Sequence, residues 1–137
     1  MMKATTFVKL SLLITLLSFS HISLVCCANI GDKATATFTN LSGTMTFTQI
    51  KETVVLIDGK FNKGFPDTDT NSDNYSLELD ILDRGHIKIS FTRLGAQIAP
   101  PGTTPFEFSG NAILETIAGP ILSINHLNQT LDTAVAH

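Results

Sequence analysis

Apolar and polar residues alternate along much of the chain after residue 30, and this period of two is the feature that most restricts its fold. Successive side chains of a strand point to opposite faces of a sheet, so each alternating stretch predicts a strand with one buried face. Threonine is frequent at the polar positions, which suits the solvent face of a strand. The apolar members are Ala34, Ala36, Phe38, Met45, Phe47, Leu77, Leu79, Ile81, Ile87, Ile89 and Phe91.

Three apolar runs, at 54–57, 112–117 and 121–124, predict further strands. Turn signals such as Ser42-Gly43, Asp58-Gly59 and Gly119-Pro120 separate the segments. No window after the leader shows a useful helical period. The sequence therefore predicts an all-β fold of about eight antiparallel strands, arranged as a sandwich or a flattened barrel. Most of the nine Phe and the one Tyr are expected in its core.

The N-terminal segment is typical of a secretory signal peptide. Lys3 and Lys9 precede an apolar run at 10–19, and small residues precede Ala28. The apolar run is too short for a stable membrane span. We therefore expect residues 1–28 to be removed, leaving one extracellular domain at 29–137.

Both cysteines, Cys26 and Cys27, belong to this leader. The domain at 29–137 is therefore expected to contain no disulfide, zinc–thiolate site or cysteine nucleophile. Removing the two leader lysines changes the formal charge from −3 to −5. A chain of this balance has no basic patch for nucleic acid or anionic lipid.

Three sequons of the form Asn-X-Ser/Thr follow the leader. They predict glycan acceptors at Asn40, Asn74 and Asn128, because none has Pro in the middle position. Together with the leader, they predict a secreted glycoprotein if the host is eukaryotic.

Four segments in register, at 42–49, 95–100, 110–113 and 127–137, resemble copper/zinc superoxide dismutases. The first is similar to the second strand of that family, and the last resembles its strand closing in Val-Val-His. The resemblance covers 33–137 and implies a Greek-key β-barrel.

The resemblance also implies where a copper site would lie, and there the chain departs from the family. The positions that match copper ligands hold Glu78, Asp80, Gln97 and His137, of which only His137 is a histidine. Between residues 101 and 110 there is neither histidine nor aspartate to match the zinc ligands. Oxygen ligands favour calcium, magnesium or manganese over copper. We therefore expect no cofactor, and copper or zinc only if the family site survives.

A second candidate metal site is a calcium loop at 67–78. Asp67, Asp69, Asn71, Asp73 and Glu78 have the oxygen-ligand spacing of an EF-hand loop. The sixth position is Ser rather than Gly, and the segment before the loop cannot form an entering helix. A solvated acidic loop is the simpler interpretation.

Other polar residues have structural interpretations. Glu78 and Asp80 lie two apart, so they share one face of a strand and are expected on its solvent side. His86 and His126 have no second histidine at ligand spacing and are interpreted as surface residues.

The sequence thus leaves two classes of function open. One is an extracellular binding or surface protein that has lost dismutase activity, with an unidentified partner or a second copy of the chain. The other is a residual metal-binding protein or superoxide dismutase using Glu78, Asp80, Gln97 and His137, or calcium at 67–78.

Overall fold

The computed structural model describes residues 28–81 and 85–137. Residues 1–27 of the predicted leader at 1–28, including both cysteines, lie outside the described residues. In the described ranges no helix is long and apolar enough to cross a membrane. The strands are β1 (Lys33–Phe38), β2 (Gly43–Lys51), β3 (Val54–Phe61), β4 (Tyr75–Ile81), β5 (Gly85–Ser90), β6 (Ile98–Ala99), β7 (Gly102–Thr103), β8 (Phe106–Asn111), β9 (Ile121–His126) and β10 (Gln129–Val135). The helical turns are η1 (Ser72–Asn74), α1 (Phe91–Leu94) and α2 (Leu114–Ile117).

The long strands form two antiparallel four-stranded sheets, in the orders β1-β2-β3-β8 and β10-β9-β4-β5. A short third sheet pairs β6 with β7. The predicted all-β fold with eight long antiparallel strands is therefore confirmed. The chain crosses between the two main sheets after β3, on the way from β5 to β8, and after β8, as in Greek-key connections.

The core lies between the two sheets and is built from the inward residues that the alternation predicts. Ala36, Phe38, Met45 and Phe47 are fully buried on the first sheet, and Leu77 on the second. Leu122 and Ile124 of β9 complete the inner face of the second sheet.

Phe61 lies at the centre of an aromatic cluster at one end of the core. Its ring centroid is 5.4–6.0 Å from those of Phe38, Phe65, Phe91 and Phe106. Aromatic pairs at these separations add stabilisation beyond the buried area alone.

One edge of the sandwich is joined by backbone hydrogen bonds. The amide of Thr35 donates to the carbonyl of His137 over 2.9 Å, and the amide of His137 donates back over 3.2 Å. Beside this joint, Oδ2 of the buried Asp132 accepts from the amides of Asn40 and Leu41, at 2.8 and 3.2 Å. We call this the β1–β10 edge.

The opposite edge is formed by β5 and β8, which share no ladder pairing among the described residues. The two sheets therefore form a sandwich that is joined along one edge and open along the other. We call the second edge the β5–β8 edge.

Three local predictions are wrong. The turn expected at Asp58-Gly59 lies inside β3, because both residues pair with β2 on one side and with β8 on the other. The expected strand at 112–117 is replaced by a loop and α2, because the side chain of Gln49 binds the amide of Leu114 at the start of this turn. The strand expected to run through Phe91 ends at Ser90, whose hydroxyl accepts from the amide of Arg93 and caps α1. Gly95 then ends α1 in the left-handed region, with φ of 77°.

Candidate functional site

An apolar cleft opens between the sheets at the β5–β8 edge. It has a volume of about 110 Å³. Residues of both sheets and of the α2 region line this β5–β8 cleft: Phe47, Val55, Ile57, Leu79, Ile81, Ile87, Ile89, Phe108, Gly110, Asn111, Ala112, Thr116 and Ile117. Most of these side chains are aliphatic or aromatic, so the cleft continues the core towards solvent.

The cleft lies where β5 ends its sheet and, among the described residues, has no ladder partner on its outer side. Ile87 and Ile89 follow the predicted alternation and point between the sheets, yet Ile87 remains 37% exposed. Their partners on β4, Leu79 and Leu77, are buried. The exposure therefore comes from the gap beside β5 and not from a change of register.

Phe108 forms the wall on the β8 side. The Arg93 guanidinium carbon lies 5.7 Å from the centroid of this ring, within range of a cation–π contact. Gly110 leaves room for the same ring, because a Cβ at that position would lie 2.9 Å from Cε1 of Phe108. Arg93 and Gly110 thus position Phe108, and the charged side chain of Arg93 does not line the cleft.

Gln49 positions the α2 side of the cleft from within the core. Its Oε1 accepts from the amide of Leu114 at 2.7 Å, and its Nε2 donates to the carbonyls of Lys51 and Val54. Gln49 is fully buried, so each of these bonds replaces a bond to water. The sequence held the signal: Gln49 continues the inward alternation of Met45 and Phe47, where a polar residue needs partners.

A second cluster, the β4–β5 charge ladder, lies on the outer face of the second sheet and consists of Glu78, Asp80, His86 and Lys88. Strand register pairs Glu78 with Lys88 and Asp80 with His86. Lys88 Nζ lies 2.8 Å from Glu78 Oε1. His86 bridges both acids, with Nδ1 2.7 Å from Asp80 Oδ1 and Nε2 3.1 Å from Glu78 Oε2.

These contacts change the pKa values within the ladder. The hydrogen bond from Lys88 is the main cause that lowers the pKa of Glu78 from 4.5 to about 2. The hydrogen bond to Asp80 is the main cause that raises the pKa of His86, and the charge of Glu78 adds to it. Because carboxylates only accept, both ring nitrogens of His86 donate when the ring is charged. The ladder is thus a set of paired charges, with the two acids on opposite sides of one imidazole.

The structure brings together only two of the four residues at the copper positions. Glu78 and Asp80 lie on β4, Gln97 lies between α1 and β6, and His137 follows β10 at the β1–β10 edge. Across 28–81 and 85–137, no group of three or more His, Cys, Asp or Glu side chains is arranged to hold a metal ion. Glu78, Asp80 and His137 therefore do not form one donor set, and they do not fit the imidazole-rich site that copper requires.

Side-chain hydrogen bonds within the acidic loop at 67–78 and to His126 on β9 hold the carboxylate of Asp69. Asp69 Oδ2 lies 2.7 Å from His126 Nε2 and accepts from Asn74 Nδ2 at 2.9 Å. Its Oδ1 accepts from the amide of Asn71. The contact with His126 is the main cause that lowers the pKa of Asp69. Glu78, the twelfth position of the proposed calcium loop, is instead held by Lys88 in the ladder.

Both histidines make contacts that the sequence interpretation missed. His86 binds two carboxylates, whereas half-buried His126 binds Asp69 and stacks on Tyr75 with ring centroids 4.4 Å apart. The contact of His86 could have been predicted from the sequence, because two antiparallel strands joined by a short connection place His86 opposite Asp80. No such signal links His126 to Asp69, which are 57 residues apart.

The three sequons differ in their surroundings. Asn40 and Asn128 are exposed in turns, while Asn74 is half-buried at the end of η1 and its amide donates to Asp69. The sequon hydroxyl of Ser76 is buried and donates to Glu78. The folded chain therefore presents Asn40 and Asn128 more openly than Asn74.

Comparison of the chain with protein-family models, with curated proteins and with solved structures found no match.

Proposed function

We propose that this chain is a secreted glycoprotein with a copper/zinc superoxide dismutase-like domain that has lost dismutase activity and acts by binding. The observation that carries the proposal is the use of Glu78 and Asp80 in the charge ladder, away from His137. Dismutation needs a metal that changes oxidation state, and imidazole nitrogens are suited to hold copper. This chain offers two carboxylates that are already paired.

The charge of the chain supports the same proposal. Superoxide is an anion, and a positive field around a metal site speeds its capture. The two acids of the ladder are paired with Lys88 and His86, so the ladder supplies no excess of positive charge, and removal of the leader changes the formal charge from −3 to −5.

Secretion and glycosylation belong to the proposal and have their own test. The secreted product should begin near residue 28 or 29, and its glycans should be carried mainly by Asn40 and Asn128. Enzymatic deglycosylation followed by mass spectrometry should show a mass loss that disappears in the double variant Asn40→Gln, Asn128→Gln. An intact leader or an unchanged mass would contradict this part of the proposal.

The loss of catalysis is tested with the purified protein after loading with copper. We expect no superoxide dismutation above that of free copper once a competing chelator is present. Exposed His137 can hold copper loosely, and this weak signal should vanish with the chelator. Activity that resists the chelator and falls in His137→Ala would instead show a residual metalloenzyme.

A further inference from the structure

We propose that the β5–β8 cleft binds a small, uncharged, apolar molecule of about the size of benzene. This inference rests on the proposed binding function and names the ligand class of the cleft. Four features carry it: the chemistry of the lining, the size of the cleft, its access to solvent and the way its walls are held.

The lining selects against charge. No Lys, Arg, Asp or Glu lines the cleft among the described residues, and its polar side chains are Asn111 and Thr116. The hydroxyl proton of Thr116 is already donated to the carbonyl of Ile113 at 2.7 Å. A charged ligand would therefore lose its hydration without gaining a partner of opposite charge.

The size of the cleft limits the ligand. Its volume is about 110 Å³, and an apolar cavity of roughly 150 Å³ lined by Leu, Ile and Phe is known to stay dry and to take benzene. A stable bound water needs about two to four polar partners, which this lining does not offer around its whole surface. A compact hydrocarbon is thus a better occupant than water.

The position of the cleft gives a ligand a way in. A packing defect in the centre of a core is sealed, whereas this space reaches solvent at an edge where the described residues of β5 and β8 do not pair. Ile87, at 37% exposure, marks the mouth. Binding therefore needs no separation of the sheets, and the apolar area of one small ring gives a dissociation constant on the order of 1 mM.

The walls are held in place before a ligand arrives. The Arg93 guanidinium lies over the ring of Phe108, and the buried Gln49 fixes the start of α2. Neither contact occupies the cleft. A pre-formed cleft of this kind loses little conformational freedom on binding.

The test is a titration of the secreted protein with benzene, followed by NMR chemical shifts, with benzoate as the charged probe. We expect saturable shifts with benzene and none with benzoate. Ala112→Leu, which fills the cleft, should weaken benzene binding roughly tenfold or more. Ser109→Leu is the matched control, because Ser109 lies on β8 but is exposed on the other face; its affinity should match that of the unchanged protein.

The proposal is overturned if benzene gives no saturable shifts, if benzoate binds equally well, or if Ala112→Leu binds benzene as the unchanged protein does. If Ala112→Leu does not fold, Ile87→Phe at the mouth replaces it with the same expected loss. A dismutase-inactive protein that does not bind benzene would refute this inference alone. Chelator-resistant dismutation with intact benzene binding would refute only the proposed loss of catalysis.

Discussion

The β1–β10 edge and the β5–β8 edge close the same pair of sheets in different ways. At the first, Thr35 and His137 exchange two backbone hydrogen bonds, and buried Asp132 ties the β1–β2 turn to β10. At the second, no ladder joins β5 to β8 in the part of the chain that the structure describes, and apolar side chains line the gap. One edge is completed by the chain itself, and the other is left with an apolar surface that a further molecule can cover.

The open edge differs from the joined edge in the kind of side chain that it presents, and not only in the number of its hydrogen bonds. A strand edge that faces only water is usually protected by charge or by polar inward residues. On β5 the charges of His86 and Lys88 lie on the outer face, whereas Ile87 and Ile89 face inward. The sequence thus keeps the inner side of the open edge apolar, as a binding cleft requires.

We expect the largest loss of stability in the aromatic cluster, and a smaller loss at the wall of the cleft. Phe61→Ala removes a fully buried ring that contacts four others, and it should lower the free energy of unfolding by about 3–5 kcal/mol. Phe108→Ala removes a half-buried ring at the open edge and should cost roughly 1–2 kcal/mol. Urea unfolding of both variants measures the two losses. Equal losses would mean that the cleft is packed as tightly as the core.

The next effect tests the joined edge. Asp132→Ala leaves the amides of Asn40 and Leu41 without their acceptor and should cost about 2–3 kcal/mol. Asp132→Asn keeps one acceptor oxygen and should lose less. Ser109→Ala, at the open edge, should change stability by less than about 0.5 kcal/mol. If Asp132→Ala behaved like Ser109→Ala, the joint would not be what distinguishes the two edges.

A smaller effect comes from the charge ladder on β4 and β5. The pKa of Glu78 is lower in the folded chain, at about 2, than its ordinary value of 4.5. Its stabilisation is therefore complete above pH 4.5 and is lost as the pH falls towards 2. Because Lys88 is exposed, solvent screening should reduce the loss to about 1–2 kcal/mol.

The measurement is the free energy of unfolding from urea titrations between pH 5 and pH 2. Glu78→Gln should remove this part of the pH dependence, while Glu107→Gln, an exposed acid on β8, serves as the matched control. If Glu78→Gln left the pH dependence of the unfolding free energy unchanged, the ladder would not stabilise the sheet that contains β4 and β5.

The smallest effect concerns the contact between Arg93 and Phe108. Arg93→Ala should cost about 0.5–1 kcal/mol, because the contact is exposed. It should also weaken benzene binding severalfold, whereas Arg93→Lys should retain part of both. If Arg93→Ala lost affinity for benzene while ring-current shifts showed the Phe108 ring in its original position, a positioning role for Arg93 would be contradicted.

The alternation predicted most of the fold because burial on one face imposes a period of two. It predicted β1, β2, β4 and most of β5, and the same pattern in Phe106 to Ser109 could have identified β8, which was missed. The helical turn at α2 depends on Gln49, 65 residues away, so local propensity could not predict it. The cleft was also beyond local patterns, since Ile87 and Ile89 look like core residues until the position of β8 is known.

Binding of benzene in the β5–β8 cleft is tested most directly by intermolecular nuclear Overhauser effects between benzene protons and isoleucine methyl groups. We predict effects to Ile57, Ile87 and Ile89, which line the cleft, and none to Ile30 and Ile121, which are exposed elsewhere. Equal effects to Ile30 and Ile121 would mean that benzene adheres to any exposed apolar group. Nuclear Overhauser effects at Ile30 and Ile121 without any at Ile87 and Ile89 would contradict a binding cleft at the open edge.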